Sequence, residues 1–230
     1  MASEEQLNPP AQDAASASVE NRPDTVPGAF PNLFGVSAFM HRLARFLFWL
    51  TGWKTAGVVP QPARFVIIAA PHTSNWDAVI MVTAAYVFRI KLAWFVKREA
   101  FVFPLGSVIR FFGGVPIDRG SRHNVVAQAV TRFRESSQLI LAVPPEATRK
   151  RSSYWKTGFY HIARNAGVPI VLGYLDYRRK VAGLGPAFTP TGDLLADFRA
   201  FADFYAQITP KFPALRGIVA VNPAALERQG

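Results

Sequence analysis

Short, continuously apolar runs alternate with longer stretches of helical periodicity from residue 63 onward. The apolar runs have the length of β-strands and cover residues 64–70, 92–96, 114–117, 138–143 and 169–176. The stretches predicted as helices cover residues 76–88, 101–112, 124–136, 158–165 and 193–208. Strands that are apolar throughout and separated by helices are typical of sheets buried on both faces. The pattern therefore predicts a single-domain α/β fold, with a mostly parallel or mixed central sheet and helices on both faces.

One further helical pattern precedes this series, in residues 37–53. Its apolar residues recur at helical spacing, and His41, Arg42 and Arg45 lie between them. Such an amphipathic helix can lie in a membrane interface, or it can pack its apolar face against the rest of the same chain. The sequence leaves both positions open, and the two are compatible.

The first 30 residues differ from the rest of the chain in composition. They carry a net charge of −4, they are rich in Ala, Ser, Pro and Gln, and they lack the apolar stretch of a signal peptide. This predicts a disordered acidic tail over residues 1–30, then the amphipathic helix and a linker over 31–62, and a folded domain over 63–230. No uncharged apolar window reaches the roughly 18 residues of a membrane span, so we expect neither a signal peptide nor a transmembrane segment.

Composition and charge narrow the choice of partner. Half of the 230 residues are hydrophobic and only 18% are charged, which excludes a disordered or fibrous protein. The net charge is +11, and it rises to +15 without residues 1–30. A field of this sign favours nucleic acid or an anionic membrane, and because nucleic-acid-binding motifs are absent we expect no nucleic acid partner. The lack of cysteine excludes disulfides, thiolate metal sites and cysteine nucleophiles.

Chemically versatile side chains follow three of the predicted strands directly. Because the carboxyl ends of parallel strands meet at one edge of a sheet, we expect these side chains to converge there. They are His72 and Asp77 after strand 64–70, Arg119 after strand 114–117, and Glu146, Thr148 and Arg149 after strand 138–143.

His72 and Asp77 have two interpretations. An imidazole titrates near neutral pH and can act as a general base, while a carboxylate on its second nitrogen fixes the tautomer. Alternatively, the segment 74–77 fits a capping box, in which Asp77 binds the backbone N–H of Ser74 at the start of the next helix. The spacing alone leaves both interpretations open.

Other catalytic and cofactor motifs are missing from the sequence. We find neither a G-x-S-x-G nucleophile elbow nor an H-E-x-x-H metal motif among only four histidines, so we expect no metal and no cofactor. The glycine-rich residues 183–186 follow no convincing strand, and they are interpreted as a turn.

Four short motifs occur in a fixed order along the chain. They are H-x4-D at 72–77, GGVPIDR at 113–119, PEATR at 145–149 and VPIV at 168–171. This ordered set resembles the glycerolipid acyltransferase family that includes the 1-acylglycerol-3-phosphate acyltransferases, and it favours the catalytic interpretation of His72 and Asp77. Two positions depart from the family pattern, since Ala147 replaces a glycine and Leu172 replaces a proline.

The resemblance implies transfer of an acyl group from acyl-CoA or acyl carrier protein to the hydroxyl of a lysophospholipid or glycerol phosphate. His72 would be the base and Asp77 its orienting partner, while Arg119, Glu146, Thr148 and Arg149 would bind the acceptor. Residues 63–230 would form the acyltransferase domain, peripheral on the cytoplasmic face of a membrane, with the Phe-rich residues 101–112 suited to an acyl tunnel.

Two alternatives stay open at this stage. A lipid esterase or thioesterase would use the same His72 and Asp77 pair to activate water in place of an alcohol. A basic lipid- or nucleic-acid-binding module would use the H-x4-D segment as a helix cap alone.

Overall fold

A seven-stranded sheet organises residues 34–117, 122–148 and 150–226, the part of the chain that this computed structural model describes. The strands are β1 (Lys54–Ala56), β2 (Arg64–Ala70), β3 (Leu92–Lys97), β4 (Gly114–Ile117), β5 (Leu139–Val143), β6 (Ile170–Asp176) and β7 (Val181–Phe188). The helices are α1 (Ala38–Thr51), α2 (Asn75–Val87), α3 (Leu105–Phe111), α4 (Arg122–Glu135), α5 (Gly158–Ala166), α6 (Leu194–Ala206) and α7 (Pro223–Leu226), with 3₁₀ turns at Arg98–Ala100 and Pro213–Leu215. The predicted tail 1–30 lies outside the described residues.

The strand order across the sheet is β1-β7-β6-β2-β5-β3-β4. The five strands from β6 to β4 run parallel, whereas β7 pairs antiparallel with β6 and carries β1 parallel to itself at the edge. The sheet is therefore mixed, and its parallel part places the carboxyl ends of β6, β2 and β5 side by side.

Helices cover both faces of this sheet because its central strands are apolar on both sides. Val66 and Ile68 of β2 face a core shared with α4, α5 and α6, whereas Phe65 and Ile67 face a core shared with α1 and α2. The predicted α/β fold, with a mixed sheet and helices on both faces, is confirmed.

The interpretation of residues 183–186 as a turn is wrong, because they lie within β7. Glycine and proline disfavour strands, yet here the glycines make room for neighbouring rings. A Cβ on Gly183 would overlap the Tyr174 ring, and one on Gly185 would overlap Phe204. Pro186 is tolerated because β1 pairs only with residues 181–183, which leaves this end of β7 at the sheet edge.

The Phe-rich segment 101–112 is helical only in its second half. Pro104 is the N-cap of α3, which runs from Leu105 to Phe111. The residue before a proline is disfavoured in the helical region, so the helix does not extend back to Phe101.

Helix α1 packs on α2 with one face and exposes apolar side chains on the others. His41, Ala44 and Phe48 are buried, and the His41 ring nitrogen Nδ1 lies 3.0 Å from the Tyr86 carbonyl oxygen. Four other large apolar side chains of α1 are well exposed: Phe39, Phe46, Trp49 and Leu50. The predicted packing on the rest of the chain is confirmed, and the membrane-facing position stays a prediction.

Candidate active site

The candidate site lies at the carboxyl edge of three adjacent parallel strands. His72 is two residues beyond the end of β2, Glu146 is three residues beyond the end of β5, and Tyr177 directly follows β6. Since β2 lies between β6 and β5, His72 occupies the centre of this row. His72, Asp77 and Glu146 are therefore brought together as predicted, because β2 and β5 are neighbours in the sheet.

The turn between β2 and α2 is fixed by a capping box. Ser74 is the N-cap of α2, and its hydroxyl oxygen accepts a hydrogen bond from the Trp76 N–H at 3.2 Å. Asp77, the third residue of the helix, accepts hydrogen bonds at Oδ2 from the N–H groups of Thr73 at 2.7 Å and Ser74 at 2.8 Å. The capping interpretation of Asp77 is therefore confirmed.

The same carboxylate also meets the imidazole of His72. His72 Nδ1 lies 3.4 Å from Asp77 Oδ2, and the His72 side chain is 24% exposed while that of Asp77 is 4% exposed. Because Nδ1 faces the buried carboxylate, Nε2 is the nitrogen left to exchange a proton with a bound molecule. The cap and the His–Asp pair are thus two uses of one side chain.

Asp77 is held in its charged form by its partners. Burial alone raises the pKa of Asp77, but hydrogen bonds from His72, Tyr177 and the backbone of Ser74 and Thr73 together hold that pKa below its ordinary value. An ionised Asp77 orients the imidazole and stabilises its protonated form, which is what a general base needs from its partner.

Glu146 supports His72 from the other side. Its Oε2 accepts a hydrogen bond from the backbone N–H of His72 at 2.8 Å, and it has a second backbone hydrogen bond to Gly217. Burial raises the pKa of Glu146, although the His72 N–H and the nearby imidazole counteract this. Glu146 is 3% exposed, and through its hydrogen bond to the His72 N–H it fixes the turn that carries His72.

Of the other predicted binding residues, only Thr148 belongs to the part of the chain that the structure describes. Thr148 is exposed in the turn after β5, where its hydroxyl accepts a hydrogen bond from the Lys150 N–H at 3.2 Å. Arg119 and Arg149 lie outside the described residues. The preceding residue Ala147 has φ of +55°, so this turn requires the left-handed conformation for which glycine is suited.

An apolar groove lies between α1 and α2. Its volume is about 400 Å³, and it runs along α2 from Ala78, the neighbour of Asp77, to Tyr86. Met40 and Leu47 of α1 form its other wall, and Trp94 and Phe112 line it as well. A second cavity of about 370 Å³ shares Met40, Tyr86 and Trp94 with it, so the two form one apolar trough.

Comparison with known proteins agrees with the motifs. A sequence model of the family described as Acyltransferase matches residues 56–172, just over half of the chain. The chain belongs to this acyltransferase family. The family resemblance is thereby confirmed, and all four motifs lie within the matched residues.

Curated relatives carry the corresponding enzyme name. The chain is 30% identical to 1-acyl-sn-glycerol-3-phosphate acyltransferase of Haemophilus influenzae over 135 residues, which are 54% of this chain and 55% of that protein. It is 32% identical to the enzyme of the same name from Escherichia coli over 146 residues, which are 59% of this chain and 58% of that protein. The chain thus spans less than two thirds of the length of these relatives.

A solved structure supports the fold. The crystal structure titled 1-acyl-sn-glycerophosphate (LPA) acyltransferase, PlsC, from Thermotoga maritima has a TM-score of 0.51 and 17% sequence identity, and the match covers 75% of this chain and 80% of that chain.

Sequence reasoning missed the contribution of the chain after the matched residues. Tyr177 donates a hydrogen bond to Asp77 Oδ1 at 2.5 Å, and the Phe212 N–H donates to the Thr73 hydroxyl at 3.3 Å. Gly217 also contacts Glu146, so the segment 209–217 borders the candidate site. It has no periodic pattern and no motif, so no sequence signal marks it.

Proposed function

We propose that this protein transfers a fatty acyl group from an acyl thioester to the hydroxyl of a 1-acylglycerol-3-phosphate or a related lysophospholipid. The observation that carries the proposal is the His72 Nδ1 to Asp77 Oδ2 contact at the carboxyl edge of the parallel strands. The family membership and the names of the relatives support the same activity. Acyl-CoA and acyl carrier protein are both candidate donors.

The proposed step is a direct transfer with His72 as the general base. Nε2 of His72 removes the proton from the acceptor hydroxyl, and the resulting oxygen nucleophile attacks the thioester carbonyl carbon. The carbon–sulfur bond breaks, the thiolate leaves, and it takes up the proton from the imidazolium, so that an ester and a free thiol result. Asp77 keeps Nδ1 protonated and offsets the positive charge of the ring during the step.

The apolar trough is the proposed site of the acyl chain. The lining of the 400 Å³ groove comes from α1, α2, β3 and Phe112 and presents almost no polar atoms, whereas Lys91 and Arg110 also line the second cavity. The Phe-rich residues 101–112 are expected to suit an acyl tunnel. Three of them line the trough: Arg110, Phe111 and Phe112. The trough runs along α2, the helix whose first turn holds Asp77, so a chain bound there would lie along the helix that follows His72.

Exposed apolar side chains around the trough support attachment to a membrane surface. Phe103 is 91% exposed and Trp49 of α1 is 75% exposed, and Phe111 is also largely exposed. Met40 and Phe111 line one cavity, so the patches on α1 and α3 adjoin each other. Basic residues such as Arg42 and Arg45 would bind anionic headgroups while the apolar rings enter the interface. The membrane surface proposed for this attachment is the cytoplasmic one.

None of the helices in residues 34–117, 122–148 and 150–226 combines the length and the hydropathy needed to cross a bilayer.

The proposal is tested by identifying the product. The purified protein is incubated with a labelled acyl-CoA, or with acyl carrier protein, and with a panel of lysophospholipids and glycerol 3-phosphate, and the acylated product is identified by mass spectrometry. We expect label in a phospholipid whose formation depends on the acceptor. Free fatty acid that appears at a rate no acceptor increases would instead identify a thioesterase and overturn the transfer.

A further inference from the structure

Tyr177 forms the shortest side-chain contact to the candidate catalytic pair. Its hydroxyl donates to Asp77 Oδ1 at 2.5 Å, whereas Asp77 Oδ2 accepts from the turn backbone and faces His72 Nδ1. The two carboxylate oxygens therefore have separate partners. Tyr177 lies beyond residues 56–172, the part of the chain that the family model matches.

The position of Tyr177 is fixed from several directions. Its backbone N–H donates to the Thr209 carbonyl oxygen at 2.9 Å. The Trp53 ring meets its ring edge-on at a centroid distance of 5.1 Å, and Lys211 Nζ lies 5.5 Å from its ring centroid. The hydroxyl is thus held in place by β6, the residues before β1 and the segment 209–217.

The hydrogen bond has a clear electrostatic consequence. Burial, together with the hydrogen bond to Asp77 and the charge of that carboxylate, raises the pKa of Tyr177 far above its ordinary value, so Tyr177 is a neutral donor at every working pH. Without this donor, Asp77 Oδ1 would lose its hydrogen bond while the carboxylate stays buried. The carboxylate could then rotate and loosen the orientation of His72.

We propose that Tyr177 is a positioning residue that acts through Asp77 to hold the His72 imidazole in its reactive orientation. This role rests on the acyl transfer proposed above. Tyr177 itself touches neither substrate in the proposed step, so its removal affects the rate of the chemical step more than the binding of either substrate.

The test compares Tyr177→Phe with Tyr174→Phe, a matched control on β6 whose ring packs on Phe204. We expect Tyr177→Phe to lower kcat about tenfold while both KM values change less than about twofold. Tyr174→Phe is expected to retain the wild-type kcat. A Tyr177→Phe enzyme with unchanged kcat, or with a raised KM alone, would overturn the proposal.

A double variant separates positioning from a general effect on the fold. In a His72→Ala background, Tyr177→Phe should cause no further loss of the residual rate, because its effect passes through His72. A further loss of similar size in that background would show that Tyr177 acts on something other than the imidazole.

A spectroscopic readout keeps this inference distinct from the proposed function. The NMR signal of the His72 Nδ1 proton, identified by its absence in His72→Ala, should shift in Tyr177→Phe and not in Tyr174→Phe. If the wild-type protein is inactive and the signal still shifts in Tyr177→Phe, acyl transfer is rejected and the coupling between Tyr177 and His72 is retained. If the wild-type protein is active and the signal does not shift in Tyr177→Phe, the coupling is rejected. If Tyr177→Phe does not fold, 3-fluorotyrosine at position 177 keeps the donor and should shift the same signal.

Discussion

At the scale of single residues, Asp77 joins two functions that the sequence presents as alternatives. Its Oδ2 atom completes the cap of α2 and also faces His72 Nδ1. The cap holds Asp77 rigid, because the backbone N–H groups of Thr73 and Ser74 fix the carboxylate before any substrate binds. The structural role of Asp77 therefore fixes the geometry on which its proposed catalytic role depends.

Asp77→Asn is expected to lower the free energy of unfolding by about 1–2 kcal/mol at pH 7, since it weakens the cap and the charged hydrogen bonds. The folded-state pKa of Asp77 lies below its ordinary value of 3.8, so its stabilisation is present above that value and is lost as the pH falls through the folded-state pKa. Urea unfolding at a series of pH values should therefore show the two proteins converging in strong acid. A difference that is constant with pH would show that the Asp77 charge has no part in stability.

Ala147 carries the second prediction at this scale. Its φ of +55° is unfavourable for a residue with a Cβ, and glycine relieves this strain at some cost in the entropy of the unfolded chain. We expect Ala147→Gly to raise the free energy of unfolding by about 0.5–1 kcal/mol, measured by chemical denaturation. A loss of stability would indicate that the turn is not strained by alanine.

At the scale of secondary structure, the elements that the sequence predicts well are those with a strong local pattern. The central strands are continuous apolar runs because helices cover both faces, so β2, β5 and β6 are found close to their predicted bounds. Strand β7 escapes prediction because its glycines leave room for the rings of Tyr174 on β6 and Phe204 on α6, and that packing exists only once the elements are folded together. Local sequence does not contain that information.

Helix α1 allows the packed and exposed faces to be tested separately. Phe48 is 5% exposed and Phe46 is 53% exposed, although they lie only two residues apart. We expect Phe48→Ala to destabilise the protein by about 3–5 kcal/mol. Phe46→Ala should leave the melting temperature nearly unchanged and weaken flotation with anionic vesicles at low salt.

These two substitutions serve as controls for each other. Equal vesicle binding by Phe46→Ala and the wild-type protein would show that this exposed face of α1 takes no part in membrane attachment. Equal stability of Phe48→Ala and wild type would contradict the packing of α1 on α2.

At the scale of the whole molecule, the structure shows where the many apolar residues of the sequence lie. Apolar residues divide among two cores, one on each side of the sheet, the trough beside α2, and exposed rings on α1 and α3. This distribution is what a protein needs if it handles an acyl chain next to a lipid surface. The net charge of +11 suits the phosphate groups of the proposed acceptor and donor.

The candidate site likewise combines residues that are close in the sequence with residues that only folding brings together. His72 and Asp77 lie five residues apart and could be found from the sequence, and the strand order brings Glu146 to them. Tyr177 is 100 positions from Asp77, and Phe212 is 139 positions from Thr73, so only the folded chain shows their contacts.

The most direct test of the central claim is the rate of acyl transfer in His72→Ala. With acyl-CoA and 1-acylglycerol-3-phosphate, product formation by this variant should fall by at least about 100-fold while the protein stays folded, because the general base is lost. His161→Ala is the matched control and should keep the wild-type rate, because His161 is on α5, which packs on the sheet face opposite α2. Transfer by folded His72→Ala at the wild-type rate would contradict the account.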